Sequence, residues 1–202
     1  MIDSELPATR LAERSPVSAG FLRRRIDTFA DAVRYVWGFP YGRNSDRNRW
    51  DLVLTEGCGT CSTKHALLAV LAREQGLDVD LVLPIFEMAE ANTPGVGAVL
   101  NKHGLRSVPE AHCFLRWQGI IDVTMPPDNP VAEPKRCIHE ETIEPDQIRD
   151  YKVMIHRVFA TRWLAQLGRD DLDIEQLWRI REHCIAALSA PAHGLGTLRQ
   201  HK

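Results

Sequence analysis

Between positions 19 and 37 apolar side chains return at Phe21, Leu22, Ile26, Phe29, Ala30, Val33 and Val36, a helical spacing that Gly38 and Pro40 bring to an end. The residues ahead of it are polar, carry Pro7 and Pro16, and read as an extended arm over 1–18. From Tyr41 to Glu56 the chain is rich in Asn, Asp and Arg and has no period, which predicts an irregular loop. A second helical stripe follows: Ala66, Leu67, Val70 and Leu71 mark the buried face of a helix over 61–75, approached through Gly57, Gly59 and Thr60 and closed at Gly76. The run Val79 to Ile85 is short, apolar and partly alternating, as in a strand. Residues 86–108 hold Pro94, Gly95, Gly97 and Gly104 and form a long connection with room for one helical turn, of the length found in lids over functional sites.

Two alternating stretches then stand close together, Ala111 to Arg116 and Ile120 to Thr124, with Trp117-Gln118-Gly119 between them. A three-residue hairpin loop ending in Gly fits a type I turn followed by a left-handed residue. Pro126, Pro127, Pro130 and Pro134 mark a further loop, and after Pro145 helical spacing returns over 148–167 and 174–188, broken at Gly168. Asp173 followed three positions on by Gln176 has the form of a capping box for the last helix. The order of elements predicts an α+β domain in which a small antiparallel sheet packs against helices. The expected organisation is an arm over 1–18, a core over 19–140, a helical extension of the same domain over 141–190, and a loose tail over 191–202.

Composition narrows the function. A net charge of −2 gives no global electrostatic attraction to nucleic acid or to an anionic membrane, and the basic runs at Arg23-Arg24-Arg25 and at Arg43, Arg47 and Arg49 read as solvated surfaces. The longest apolar run, Ala66 to Ala72, is too short to cross a bilayer, and the opening residues lack the apolar stretch of an export signal. Five cysteines (58, 61, 113, 137 and 184) without such a signal suggest a reducing, cytoplasmic setting. The odd number also speaks against a disulfide framework and directs attention to catalytic or metal-bound sulfur.

A cysteine nucleophile acts as its thiolate, which a nearby imidazole or a helix N-terminus stabilises. Cys61 stands at the expected start of the 61–75 helix, where unpaired backbone N–H groups favour an anion and can form an oxyanion hole. A base held by a carboxylate is then required. With a three-residue hairpin loop, 114 pairs with 122 and 112 with 124, so His112 and Asp122 share one face as diagonal neighbours roughly 7–8 Å apart at Cβ. That is close enough for Asp122 to fix the tautomer of the ring and stabilise its cationic form.

These residues also carry a resemblance. Gly59-Thr60-Cys61, then Ala66 and the helix running to Arg73 and Gly76, is similar to the cysteine motif of the transglutaminase-like superfamily. Glu110-Ala111-His112 and the later Gly119-Ile120-Ile121-Asp122-Val123-Thr124 resemble the family's His and Asp-x-Thr hairpin, although Cys113 and Phe114 displace its usual aromatic and the His–Asp interval is short. The likeness covers about residues 50–125. It implies a papain/transglutaminase-like core with the nucleophile helix packed on a small antiparallel sheet, plus additional C-terminal helices outside the likeness. It further implies a triad of Cys61, His112 and Asp122 acting on a peptide or amide-containing substrate, a protein among the candidates, through an acyl-thioester. With no calcium-binding motif in the chain, hydrolysis is expected over cross-linking, and no cofactor or metal is expected.

Rival readings use the same residues. Cys58-Gly59-Thr60-Cys61 is a C-x-x-C, which in a thiol redox protein would begin a helix after a strand. A zinc site drawn from Cys58, Cys61, His112 and Cys113, or including Cys137 and His139, would lack standard spacing. His65 shares the helix face of Cys61 and is a second-choice base, while Trp50 and Glu56 are candidates to line the cleft. A non-catalytic binding module on the same fold would use the helical C-terminal third. Composition leaves the oligomeric state and the substrate open, with specificity expected in the 86–108 and 125–140 loops.

Overall fold

A computed structural model describes residues 6–127 and 137–189. The expected tail at 191–202 and most of the proline-rich loop lie outside them. The chain forms a mixed α+β fold: helices α1 (Pro16–Leu22), α2 (Phe29–Trp37), α3 (Val53–Glu56) and α4 (Cys61–Glu74), strand β1 (Asp80–Met88), helix α5 (Gly97–Lys102), strands β2 (Val108–Ala111), β3 (Phe114–Arg116), β4 (Ile120–Ile121) and β5 (Cys137–Ile143), and helices α6 (Asp150–Leu167) and α7 (Ile174–Ser189). Among the described residues no helix is long and apolar enough to cross a membrane.

The single helix expected over 19–37 is two helices. Ser15 caps α1 by accepting from the Val17 N–H, so the arm ends earlier than its polarity suggested. The break falls at Arg25, which has φ 59°, and Thr28 starts α2 by accepting from the Asp31 N–H. Helical spacing ran through the break because Phe21, Ile26 and Phe29 all enter the same core.

β1 is the centre of an antiparallel sheet. β5 lies along one side of it, and β2 and β3 share the other. Both keep one register against β1 (Ile85 opposite Ala111, Leu81 opposite Leu115), so they are one strand interrupted at His112–Cys113. The interruption has a local cause. The His112 N–H donates to the Pro84 carbonyl at 2.9 Å, but proline has no N–H to return, so the ladder opens opposite it. The β3–β4 pairing sets Leu115 against Ile121 and Arg116 against Ile120, which is the register expected for the hairpin. In its loop the left-handed residue is Gln118 (φ 50°) and not Gly119 as the turn pattern predicted.

β5 replaces what was expected to be loop, and it spans the boundary placed at 140. Alternation along β1 divides the interior. Leu81, Leu83 and Ile85 enter the larger core with α2 and α4, while Phe86 and Met88 enter a smaller one with Leu100, Leu177, Ile180 and Ile185 from α5 and α7. α4 is therefore deeply buried. Gly59 is forced by this packing, because a Cβ there would stand 2.8 Å from Cγ of Lys64. The α7 capping box forms as expected: the Gln176 N–H donates to Asp173 Oδ1 at 2.7 Å, and Gln176 Oε1 accepts from the Asp173 N–H at 2.7 Å.

Candidate active site

Thr60 occupies the N-cap of α4, its N–H donating to Thr63 Oγ1 at 3.0 Å, and Cys61 is the first helical residue. Its thiol is buried yet faces space, lying at the meeting of two clefts. His112 comes from the interruption between β2 and β3 and Asp122 from just beyond β4. His112 Nε2 lies 2.7 Å from Asp122 Oδ2, and the ring is close enough to the Cys61 thiol for each to shift the other's pKa. Asp122 Oδ1 in turn accepts from the Thr124 N–H at 2.9 Å. The three residues expected to act together are thus brought together.

Burial disfavours charge on all three, and each partner overcomes it for the next. Burial would raise the Cys61 pKa, but the cations of Lys152 and His112 outweigh it and bring the thiol down to about 6. Burial would lower His112, yet Asp122 and Cys61 hold it well above the ordinary histidine value. Burial would raise Asp122, and His112 keeps it far below the ordinary carboxylate range. The arrangement stores a thiolate–imidazolium pair near neutrality.

Lys152 carried no signal in the sequence, since it is one lysine in a helix of mixed polarity whose inward face only the fold defines. From α6 its Nζ donates to Ser62 Oγ at 2.6 Å and stands 3.8 Å from Cys61 Sγ and 3.6 Å from Cys113 Sγ. Burial works against its ammonium, but the two sulfurs and Glu110 raise its pKa, so the charge stays. Glu110 on β2 is buried too. Arg181 of α7 forks onto it at 2.6 and 2.5 Å and, against burial, brings it down to about 2.

His65 is not a second base. Its Nδ1–H donates to the Cys61 carbonyl at 2.7 Å, and its Nε2 accepts from the Val123 N–H at 2.9 Å. Burial lowers its pKa to about 4, so it stays a neutral clamp between α4 and the hairpin. Beside it Lys64 donates to the carbonyls of Phe39, Val123 and Thr124 at 2.6, 3.1 and 3.0 Å. Trp50 and Glu56 lie away from the two clefts: the Trp50 indole reaches Asp146, and Glu56 is bound by Asn44 and Ser45.

Cys58 is a half-buried free thiol whose pKa is pushed up by burial and by Glu56, the opposite of Cys61. Cys113 is buried and also pushed up, by burial first. Among the described residues no three His, Cys, Asp or Glu side chains are arranged to hold a metal ion, and Cys137 pairs with the backbone of its own strand and of β1 instead. The expected specificity loops contribute in part, through Met88 and Thr93 on one side and Met125 on the other. Compared with known proteins, the chain matches no family model, no curated protein and no solved structure.

Proposed function

We propose that this chain is a cysteine-dependent acyl-transfer enzyme of the transglutaminase-like kind, with α4 packed on the sheet as a papain-like core, and that it hydrolyses a peptide or amide bond. The Cys61 thiolate attacks the carbonyl carbon, forming a C–S bond and a tetrahedral oxyanion near the first-turn N–H groups of α4. The oxyanion collapses, the C–N bond breaks, and His112 passes its proton to the leaving nitrogen, which departs as an amine. His112, now neutral, takes a proton from water as the water oxygen attacks the thioester carbonyl. The C–S bond then breaks, the acid leaves, and the thiolate–imidazolium pair is restored. Asp122 holds the ring and its charge throughout.

The observation that carries the reading is the chain of contacts from Cys61 through His112 to Asp122, ending at 2.7 Å, on a cysteine at a helix N-terminus. A redox function would draw on Cys58 as well, whose raised pKa suits an unreactive thiol. The test is the pH dependence of iodoacetamide alkylation, mapped cysteine by cysteine by mass spectrometry, in wild type and in His112→Ala. Cys61 alone should react with a midpoint near pH 6, and His112→Ala should move that midpoint up toward the free-thiol value of about 8.5. An ordinary titration of Cys61 in the wild type, or reactivity shared equally with Cys58, would sink the proposal.

A further inference from the structure

Two clefts meet at Cys61, and they differ in chemistry. One is lined by Lys152 and by Arg43, Arg47 and Arg181, with Glu110 as its one carboxylate among the described residues. The other is lined by Phe86, Met88, Met125, Ile185 and Leu188, and it is this one that His112 and Asp122 border. Reaction chemistry fixes which part of a substrate enters which cleft. The group that leaves must receive its proton from His112, so it lies on the His112 side. The acyl part, held to Cys61 at its carbonyl, then extends the other way, past Ser62 and Lys152 toward the arginines.

On this basis, and resting on the thiol acyl-transfer reading, we infer that the enzyme selects an acyl donor whose acyl part bears a negative charge, such as a carboxylate, and whose leaving group is apolar and uncharged. The cations are unequally committed. Arg181 is held by Glu110 and Glu182, and Arg43 pairs with Glu182. Arg47 is exposed at the mouth of the polar cleft and has no hydrogen bond or ion pair among the described residues, so it is the cation with the most charge to offer a ligand. On the apolar side the carboxylates of Glu110 and Asp122 are already paired and His112 is bound to Asp122, so that cleft holds no uncommitted ion for a charged leaving group.

The test compares glutaryl and adipoyl 4-nitroanilides with pentanoyl and hexanoyl 4-nitroanilides, which replace the distal carboxylate by a methyl group. The charged donors should be cleaved with kcat/KM roughly tenfold higher, and the ratio should shrink in Arg47→Gln and at high ionic strength. Equal or reversed preference, with acylated Cys61 found by mass spectrometry, overturns the inference and leaves the acyl-transfer reading standing. A second measurement works without turnover: the rate of Cys61 alkylation by iodoacetate relative to iodoacetamide. That ratio should fall in Arg47→Gln, and a ratio unchanged by the substitution overturns the inference. If no anilide is cleaved and Cys61 titrates as an ordinary thiol, both readings fall together.

Discussion

The turn of α4 that opens at Cys61 and the next one, which carries Lys64 and His65, each involve a histidine and a lysine and use them in opposite ways; the first receives His112 from the β2–β3 interruption and Lys152 from α6. Around Cys61, His112 and Lys152 face side chains that can change charge: the thiol, Asp122, Glu110 and the second sulfur. Around Lys64 and His65 the hydrogen bonds go to the backbone, with Asp122 Oδ1 3.6 Å from His65 Nε2. Lys64 holds three carbonyls and His65 bridges a carbonyl and an N–H. A buried polar group whose hydrogen bonds all go to main chain holds one protonation state at neutral pH, so it is scaffold. One that shares its charge with other ionisable side chains is poised for proton and electron-pair movement. The two histidines diverge in pKa although Asp122 is near both: His65 is fully buried with Asp122 3.6 Å away and falls to about 4, while His112 has Asp122 at 2.7 Å and the Cys61 thiol beside it and rises.

The scaffold side of the contrast gives the largest expected effect. His65→Ala should cost about 4 kcal/mol, from the cavity left by the ring and the orphaned Val123 N–H. In a thermal melt that corresponds to a drop of roughly 10 °C. The alkylation midpoint of Cys61 in the folded protein should nevertheless stay near pH 6, because the neutral ring supplies none of the charge that lowers it. A variant that melts normally but whose Cys61 midpoint moves upward would erase the distinction between the two turns.

A slightly smaller effect tests the same histidine by pH. His65 titrates near 4 when folded and near 6.5 when unfolded, so between those values the unfolded chain binds the extra proton. The neutral form contributes stability that is fully present above pH 6.5 and lost as pH falls to about 4. At about 1.4 kcal/mol per pH unit the loss attributable to this residue is about 3 kcal/mol. In denaturant titrations, His65→Gln, already less stable at pH 7, should therefore lose about 3 kcal/mol less than wild type between pH 6.5 and 4. Parallel stability–pH curves for the two proteins would show that His65 is not the buried neutral group described.

The parts of this arrangement that were legible in sequence are those set by neighbours along the chain. A glycine approach and a helical stripe place Cys61 at a helix start, and the length of the loop between β3 and β4 alone fixes which residues oppose each other, so His112 and Asp122 could be paired before the fold was known. What was not legible depends on distant packing. β5, with the sequence Cys-Ile-His-Glu-Glu-Thr-Ile, is a mostly polar edge strand and lacks the alternation of a half-buried one, so it reads as loop until β1 is there to receive it. The break at Arg25 was hidden because the core receives Phe21 and Phe29 from both sides of it. His65 shares a helix face with Cys61, and only the Val123 N–H lying against its Nε2 shows that its lone pair is spent.

Lys152 gives the smallest effect and the finest division between the two turns, because it combines both habits: one bond to a hydroxyl, as scaffold would make, and a charge beside two sulfurs, as chemistry requires. If it belongs to the reactive side, Lys152→Met should raise the Cys61 alkylation midpoint by about one pH unit, a roughly tenfold loss of rate at acidic pH that vanishes above pH 9. Lys152→Arg should keep most of the shift, since it restores a cation without the same hydrogen-bond geometry. Because His112 remains in both variants, the rate at high pH serves as an internal control for folding and access. A midpoint unmoved in Lys152→Met, together with a lowered melting temperature, would transfer this lysine to the scaffold and leave the imidazolium as the sole cation that activates Cys61.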